Sequence, residues 1–233
     1  MTGLRPRGLI VAIDGPSGAG KSTAGRALAE RLGYVFIDTG AMYRALALKA
    51  LRSGVPLDRG EELAALAART RIELFEGGRR VALDGEDVSA EIRRPEVSGA
   101  SSRISTHPEV RRELVARQRD MGRQGGVVLD GRDIGTAVFP EAEAKFYMDA
   151  EAGFRAARRR EELEAAGAPA DLETVEREIL ARDQLDSTRP DSPLTRAPDA
   201  VYLDTTRMGP SQVVDLMMDL VLRKLADGSR LDQ

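Results

Sequence analysis

The chain contains no cysteine, so disulfides, thiolate metal sites and cysteine nucleophiles are excluded together. It contains no asparagine either, and the loss of both labile residue types is a bias found in thermophilic sources. Lysine occurs only at Lys21, Lys49, Lys145 and Lys224, so arginine carries nearly all the positive charge. Arginine grips phosphate bidentately, which directs attention to arginines in loops. The one histidine, His107, precedes Pro108 and reads as a solvent-facing residue of a helix–helix turn, not as a catalyst or ligand. Aromatic residues make up 4% of the chain, too few for the stacking set of a nucleic-acid module. A net charge of −3 leaves no global positive field for a phosphate backbone. No apolar run approaches a membrane span. Only the six mostly apolar residues Gly8–Ile13 lie between Arg7 and Asp14, too few for a signal peptide. The expectation is a cytoplasmic protein, with no nucleic-acid or membrane partner, whose 233 residues form one large α/β domain with a small insertion.

What is present is decisive at one place. Gly15-Pro16-Ser17-Gly18-Ala19-Gly20-Lys21-Ser22 fits G-x-x-x-x-G-K-[ST]. The apolar run Gly8–Ile13 before it reads as a buried parallel strand, and Ser22–Leu32 after it reads as an amphipathic helix ended by Gly33. Strand, glycine loop and helix form the context in which this motif is a phosphate site. Backbone N–H groups of Gly15 to Thr23 curl around an anion, and the helix N-terminus adds its dipole. Lys21 reaches the β- and γ-phosphates, and the Ser22 hydroxyl ligates Mg²⁺. The motif predicts binding of a nucleoside triphosphate.

Further strand signals come at Tyr34–Ile37, Val127–Leu129, Lys145–Met148 and Ala200–Leu203, each leading into an aspartate: Asp38, Asp130, Asp149 and Asp204. Helical patterns lie between them, which predicts a parallel sheet covered on both faces. Ligands of such sheets bind beyond the carboxyl ends of the strands, so the aspartates fall on the active face. Asp149 and Asp204 read better as caps of the helix that follows each. Between residues 55 and 95 the pattern changes: Arg71–Phe75 and Arg80–Val88 alternate apolar with polar around Gly77-Gly78, an antiparallel hairpin in a small inserted subdomain. Helices are expected at Glu96–Thr106, Pro108–Arg123, Leu172–Leu185 and Ser211–Ala226, with Asp186–Pro193 as a loop.

Asp130 is placed to hold Mg²⁺ directly or through water. Arg132 and Asp133 come directly after it, and an arginine beside a phosphate-and-metal site calls for an anionic partner. Thr39 and Gly40 open a helix whose N–H groups suit a second anion, with Arg44 one turn in to close over it. A loop set, Arg182, Asp183, Asp186 and Arg189, lies downstream of Arg155, Arg158 and Arg159. Mobile arginines of this kind stabilise a transferring phosphoryl group and exclude water. The set describes a kinase acting on a small phosphorylated or hydroxylated substrate.

With these motifs in place, the chain resembles the bacterial cytidylate kinases, members of the nucleoside monophosphate kinase superfamily. The resemblance runs from Ile10 to about Lys224 and rests on Ile13–Ser22, Asp38–Arg44, Asp130–Thr136 and Arg182–Arg189. It implies a P-loop NTPase fold with a five-stranded parallel sheet in a single domain, residues 1–233. A monophosphate-binding insertion is expected at 55–105 and an arginine-rich lid at 153–192. It implies transfer of the γ-phosphoryl of ATP to CMP or dCMP with Mg²⁺, by a monomer. Residues matching Arg44, Arg132 and Arg189 hold the acceptor phosphate in that family, with Thr39 near it. Those matching Ser102, Arg111 and Asp133 read the cytosine edge, and those matching Arg182 and Asp186 meet the ribose. Charge stabilisation is expected from Lys21, Arg132, Arg158 and Arg189. Leu185 and Ser187 stand where the family sometimes has two further arginines. A kinase for UMP, AMP, dTMP or shikimate is the nearest rival. A GTP switch is not, because the chain has no [NT]-K-x-D motif.

Overall fold

Residues 7–165 and 167–231 are described here in a computed structural model. The first apolar run becomes β1 (Ile10–Asp14), buried at every position, as a central parallel strand must be. It is followed by α1 (Lys21–Leu32), β2 (Val35–Asp38) and α2 (Thr39–Ser53). Then come α3 (Gly60–Arg69), β3 (Ile72–Phe75), β4 (Arg80–Leu83), β5 (Glu86–Asp87), a 3-10 turn Glu91–Arg93, α4 (Pro95–Ile104) and α5 (Pro108–Gly122). The second half holds β6 (Val127–Gly131), a wide π turn Ile134–Val138, β7 (Ala144–Asp149), α6 (Ala152–Ala165), α7 (Leu172–Thr188), β8 (Val201–Asp204) and α8 (Pro210–Leu231).

Five strands form one parallel sheet in the order β2-β6-β1-β7-β8. Alternate side chains of β1 serve opposite faces, because the strand period is two. Val11 and Ile13 pack into the layer of α1 and α8 with Leu28, Val214 and Met217. Ile10 and Ala12 pack the other way, with Leu129, Ile134 and Phe139. Truncating a fully enclosed anchor such as Phe146, 2% exposed, to alanine costs roughly 3–5 kcal/mol.

The insertion is richer than a hairpin. A short third strand joins it, giving an antiparallel sheet β3-β4-β5. Val81, Leu83 and Val88 pack there against α2, α3 and α4 through Leu46, Leu66 and Val97. Helices α6 and α7 pack on each other through Ala156, Leu163, Val175 and Ile179.

Four sequence expectations change. His107 does lie in the turn between α4 and α5 but is half-buried and not solvent-facing: it stands at the N-cap of α5 with its Nε2 2.8 Å from the Leu57 carbonyl. Asp186, Ser187 and Thr188 are not loop but the last turn of α7. Ser187 and Thr188 turn their hydroxyls back onto the Gln184 carbonyl at 3.2 and 2.7 Å, which lets residues of low helix propensity end a helix. Strand β6 runs on through Asp130 to Gly131, so that aspartate lies within the strand. The edge aspartates do not cap the following helices but close local turns ahead of them: Asp149 takes the Ala150 N–H at 2.8 Å and Asp204 the Thr206 N–H at 2.9 Å, before α6 begins at Ala152 and α8 at Pro210.

Candidate active site

A cavity of about 650 Å³ opens beyond the carboxyl ends of the strands. One wall is the loop between β1 and α1. Gly15 has φ 145°, and a Cβ there would lie 1.9 Å from the Met148 carbonyl oxygen, so no other residue permits this exit from the strand. At Gly18, φ 78°, a Cβ would come within 2.9 Å of the Arg155 Cβ, so the loop and α6 touch only because that atom is missing. Ser17, Gly18, Gly20, Lys21, Ser22 and Thr23 line the cavity, while Gly15, Pro16 and Ala19 are buried behind it. Helix α1 begins at Gly20 with no side-chain cap. Its first N–H groups are therefore open to an anion.

Lys21 is 6% exposed and donates to the Pro16 carbonyl at 2.6 Å. Burial and then Arg132 hold its ammonium well below the ordinary lysine range, a burden that an anion in the loop relieves. Ser22 Oγ donates to Asp130 Oδ2 at 2.5 Å, and Asp130 Oδ1 is buried without a hydrogen bond. Burial and then Asp38 push the Asp130 carboxyl up. One hydroxyl and one carboxylate with a free buried oxygen suit a hard cation that keeps waters and phosphate oxygens in its shell. The residues therefore fit Mg²⁺. No group of three or more His, Cys, Asp or Glu side chains is placed to hold a metal among the described residues, so further ligands would come from water and substrate.

The opposite wall gathers arginines, each already facing an acid. Arg132 donates to Asp186 Oδ2 at 2.8 Å, not to its neighbour Asp133. Asp186 also faces Arg189 at 3.8 Å and Arg182 at 4.0 Å. Burial and then the neighbouring Arg132 bring the Arg182 guanidinium down to about 10. Asp133 lies between Arg111, which donates to it in a short hydrogen bond, and Arg189 at 3.5 Å. Arg111 is 2% exposed and also reaches Asp191 at 3.1 Å and the Tyr43 hydroxyl at 3.4 Å. Near the start of α2, the Asp38 carboxylate takes the Ala41 N–H at 2.7 Å and pairs with Arg44 at 3.1 Å. The anion at that helix start is thus the protein's own. Thr39 donates to the Asp130 carbonyl at 2.6 Å and lines the cavity.

Two predicted residues fall elsewhere. Ser102 donates back to the Ser98 carbonyl at 3.2 Å and is not in the lining, where Ser98, Ser101 and Ser105 stand instead. Positions 98, 101, 102 and 105 share one stripe of the helix, and Ser101 donates to the same Ser98 carbonyl at 3.0 Å. Arg158 donates to the Thr205 carbonyl at 2.6 Å and does not line the cavity, whereas Arg159 does.

Sequence reasoning missed several groups. Asp14 ends β1 and is 4% exposed, so the pattern of strand-end aspartates extended to the first strand would have found it. Tyr43, raised to about 12 by burial, had no signal beyond its place after Met42. Arg155 was seen as a mobile cation, but it is buried and donates to the Ser17 carbonyl at 3.0 Å and to Asp183 at 2.6 Å. Asp183 in turn accepts from the Ser17 N–H at 3.4 Å, so helices α6 and α7 are fastened to the loop.

A glycine loop opening a helix, a strand aspartate beside it and a facing set of arginines, at the edge of a doubly covered parallel sheet, define a P-loop nucleotide kinase. A gluconokinase from Sinorhizobium meliloti 1021 has the same fold, with a TM-score of 0.50 at 16% identity over 98% of this chain and 99% of that one. The family model for cytidylate kinase matches residues 11–223. A cytidylate kinase from Symbiobacterium thermophilum is 52% identical, covering 90% of this chain and 94% of the relative. One from a Geobacillus species is 50% identical, covering 92% and 97%. A bifunctional pantoate ligase/cytidylate kinase from a Synechococcus species is 48% identical, covering 98% of this chain and 43% of the relative. The chain belongs to the cytidylate kinase family.

Proposed function

We propose that the protein transfers the γ-phosphoryl group of ATP to CMP or dCMP by direct in-line displacement. The observation that carries this reading is the meeting of two anion-ready walls in one cavity, the loop with Lys21 on one side and Arg132, Arg182 and Arg189 on the other. Two polyanions repel one another, so the work of catalysis is neutralising charge and fixing alignment. The acceptor is already a phosphate oxygen, and no general base is required. Ser22 and Asp130 would hold Mg²⁺, which screens the phosphate oxygens when bound. Lys21 holds the donor phosphates. Arg44, Arg132 and Arg189 hold the acceptor phosphate, and Arg182 with Asp186 meets the ribose. Asp133, oriented by Arg111, accepts from the exocyclic amine of cytosine, with Ser102 or its cavity-lining neighbour Ser101 completing the base site. Helices α6 and α7 act as the lid that keeps water from the transferring group, and β3-β4-β5 with α4 form the acceptor-side insertion.

The test is ADP formation with ATP and Mg²⁺ against CMP, dCMP, UMP, AMP, dTMP and shikimate. Turnover concentrated on CMP and dCMP supports the reading; preference for any other acceptor overturns it.

A further inference from the structure

We propose that Asp14 is a positioning residue that fixes Arg132 and Asp133 relative to the phosphate loop. The inference rests on the proposed CMP kinase activity, in which those two residues hold and identify the acceptor. Asp14 ends β1 and is joined directly to Gly15. Its Oδ1 accepts from the Ile134 N–H and its Oδ2 from the Gly135 N–H, each at 2.7 Å. These N–H groups open a π turn closed by Val138 N–H to Asp133 carbonyl at 3.1 Å and Phe139 N–H to Ile134 carbonyl at 2.7 Å. The first N–H groups of any helical turn have no partner within it, and here a single carboxylate takes two of them.

The register shows what this bracket controls. Asp14 is paired with Gly131 across the β1–β6 ladder. The chain therefore leaves the sheet beside Asp14 at Gly131, turns Arg132 and Asp133 into the cavity lining, and returns to the Asp14 carboxylate at Ile134. Both ends of that two-residue excursion are referenced to the residue that starts the donor loop. Gly135 makes close approach possible, since a Cβ there would lie 3.3 Å from Asp14 Oδ2 and 3.2 Å from the Lys145 Cδ. Each Asp14 oxygen is engaged by one backbone N–H, the geometry of a positioning role.

The test is Asp14→Asn, whose amide presents a donor to one of the two N–H groups. KM for CMP is expected to rise on the order of ten- to a hundred-fold, and the preference for CMP over UMP to fall by a comparable factor. KM for ATP should stay within about twofold, because the loop glycines and Lys21 are untouched. A merely structural loss would lower the active fraction and leave KM and the CMP/UMP ratio as they were. Gly135→Ala crowds the same bracket without removing its charge and should show the same split. Should Asp14→Asn fail to fold, Gly135→Ala decides. Unchanged KM for CMP and unchanged base preference in either folded variant overturn the proposal, as does failure of both variants to fold. A wild-type enzyme that does not use CMP instead sinks the functional reading on which the proposal rests.

Discussion

Arg111 and Asp133 form a buried charged pair at the acceptor end of the cavity, the arginine on α5 and the aspartate just beyond β6. The pair is enclosed on both sides, with Arg111 2% and Asp133 6% exposed. An aspartate held so firmly by one arginine has one orientation to offer a ligand. Asp133→Asn is therefore expected to reverse or erase base preference. An amide can donate where the carboxylate only accepts, so discrimination between CMP and UMP should shrink by roughly ten- to a hundred-fold. Specificity constants for both acceptors check this; an unchanged ratio places base reading elsewhere.

Lys21→Ala should lower turnover by about a hundred- to a thousand-fold, the usual consequence of removing one charge-stabilising donor. The fold should hold, because among the described residues the side chain gives up one hydrogen bond, that to the Pro16 carbonyl. A thermal melt and steady-state rates, measured together, separate the two effects.

Arg158 and Arg189 allow a comparison within the lid. Arg189 is 6% exposed and faces Asp133 and Asp186, while Arg158 is committed to the Thr205 carbonyl. Arg189→Ala should lose on the order of a hundred-fold in kcat/KM for CMP through misalignment, and Arg158→Ala much less. Equal losses would return Arg158 to the catalytic group.

Gly18→Ala places a methyl against Arg155 and forces alanine to φ 78°. The backbone strain alone costs about 1–2 kcal/mol. The variant should melt several degrees lower and bind ATP more weakly, since α6 must move off the loop. ATP titration and calorimetry read both; wild-type values for each would show that the loop tolerates displacement.

The parallel sheet was legible because its strands are short apolar runs in a chain otherwise rich in charge, and Val127–Leu129 or Lys145–Met148 leave little choice. The donor loop was legible because one backbone geometry demands glycine at fixed spacings. Strand β5 was not legible as a strand of its own: Glu86 and Asp87 lie inside the run Arg80–Val88, and only their pairing with Ala82 and Leu83 separates them from β4. The partners of the arginines were not legible either. Arg132 meets Asp186 and Arg111 meets Asp133 across long stretches of chain, and nothing in the sequence says which acid the packing will bring. Which of the clustered serines lines the cavity was not legible either, because Ser98, Ser101, Ser102 and Ser105 recur at helical spacing and tertiary packing selects among them.

Asp186 stands among Arg132, Arg182 and Arg189 before any substrate arrives. A nucleotide phosphate entering that cluster displaces or shares with a resident carboxylate; it does not meet bare cations. Binding is then an exchange of one anion for another, and affinity is set by the difference between them. A dianionic phosphate with three oxygens can engage several guanidinium groups at once where one carboxylate cannot. A lone chloride or carboxylate engages fewer guanidinium groups and gains less by the same exchange.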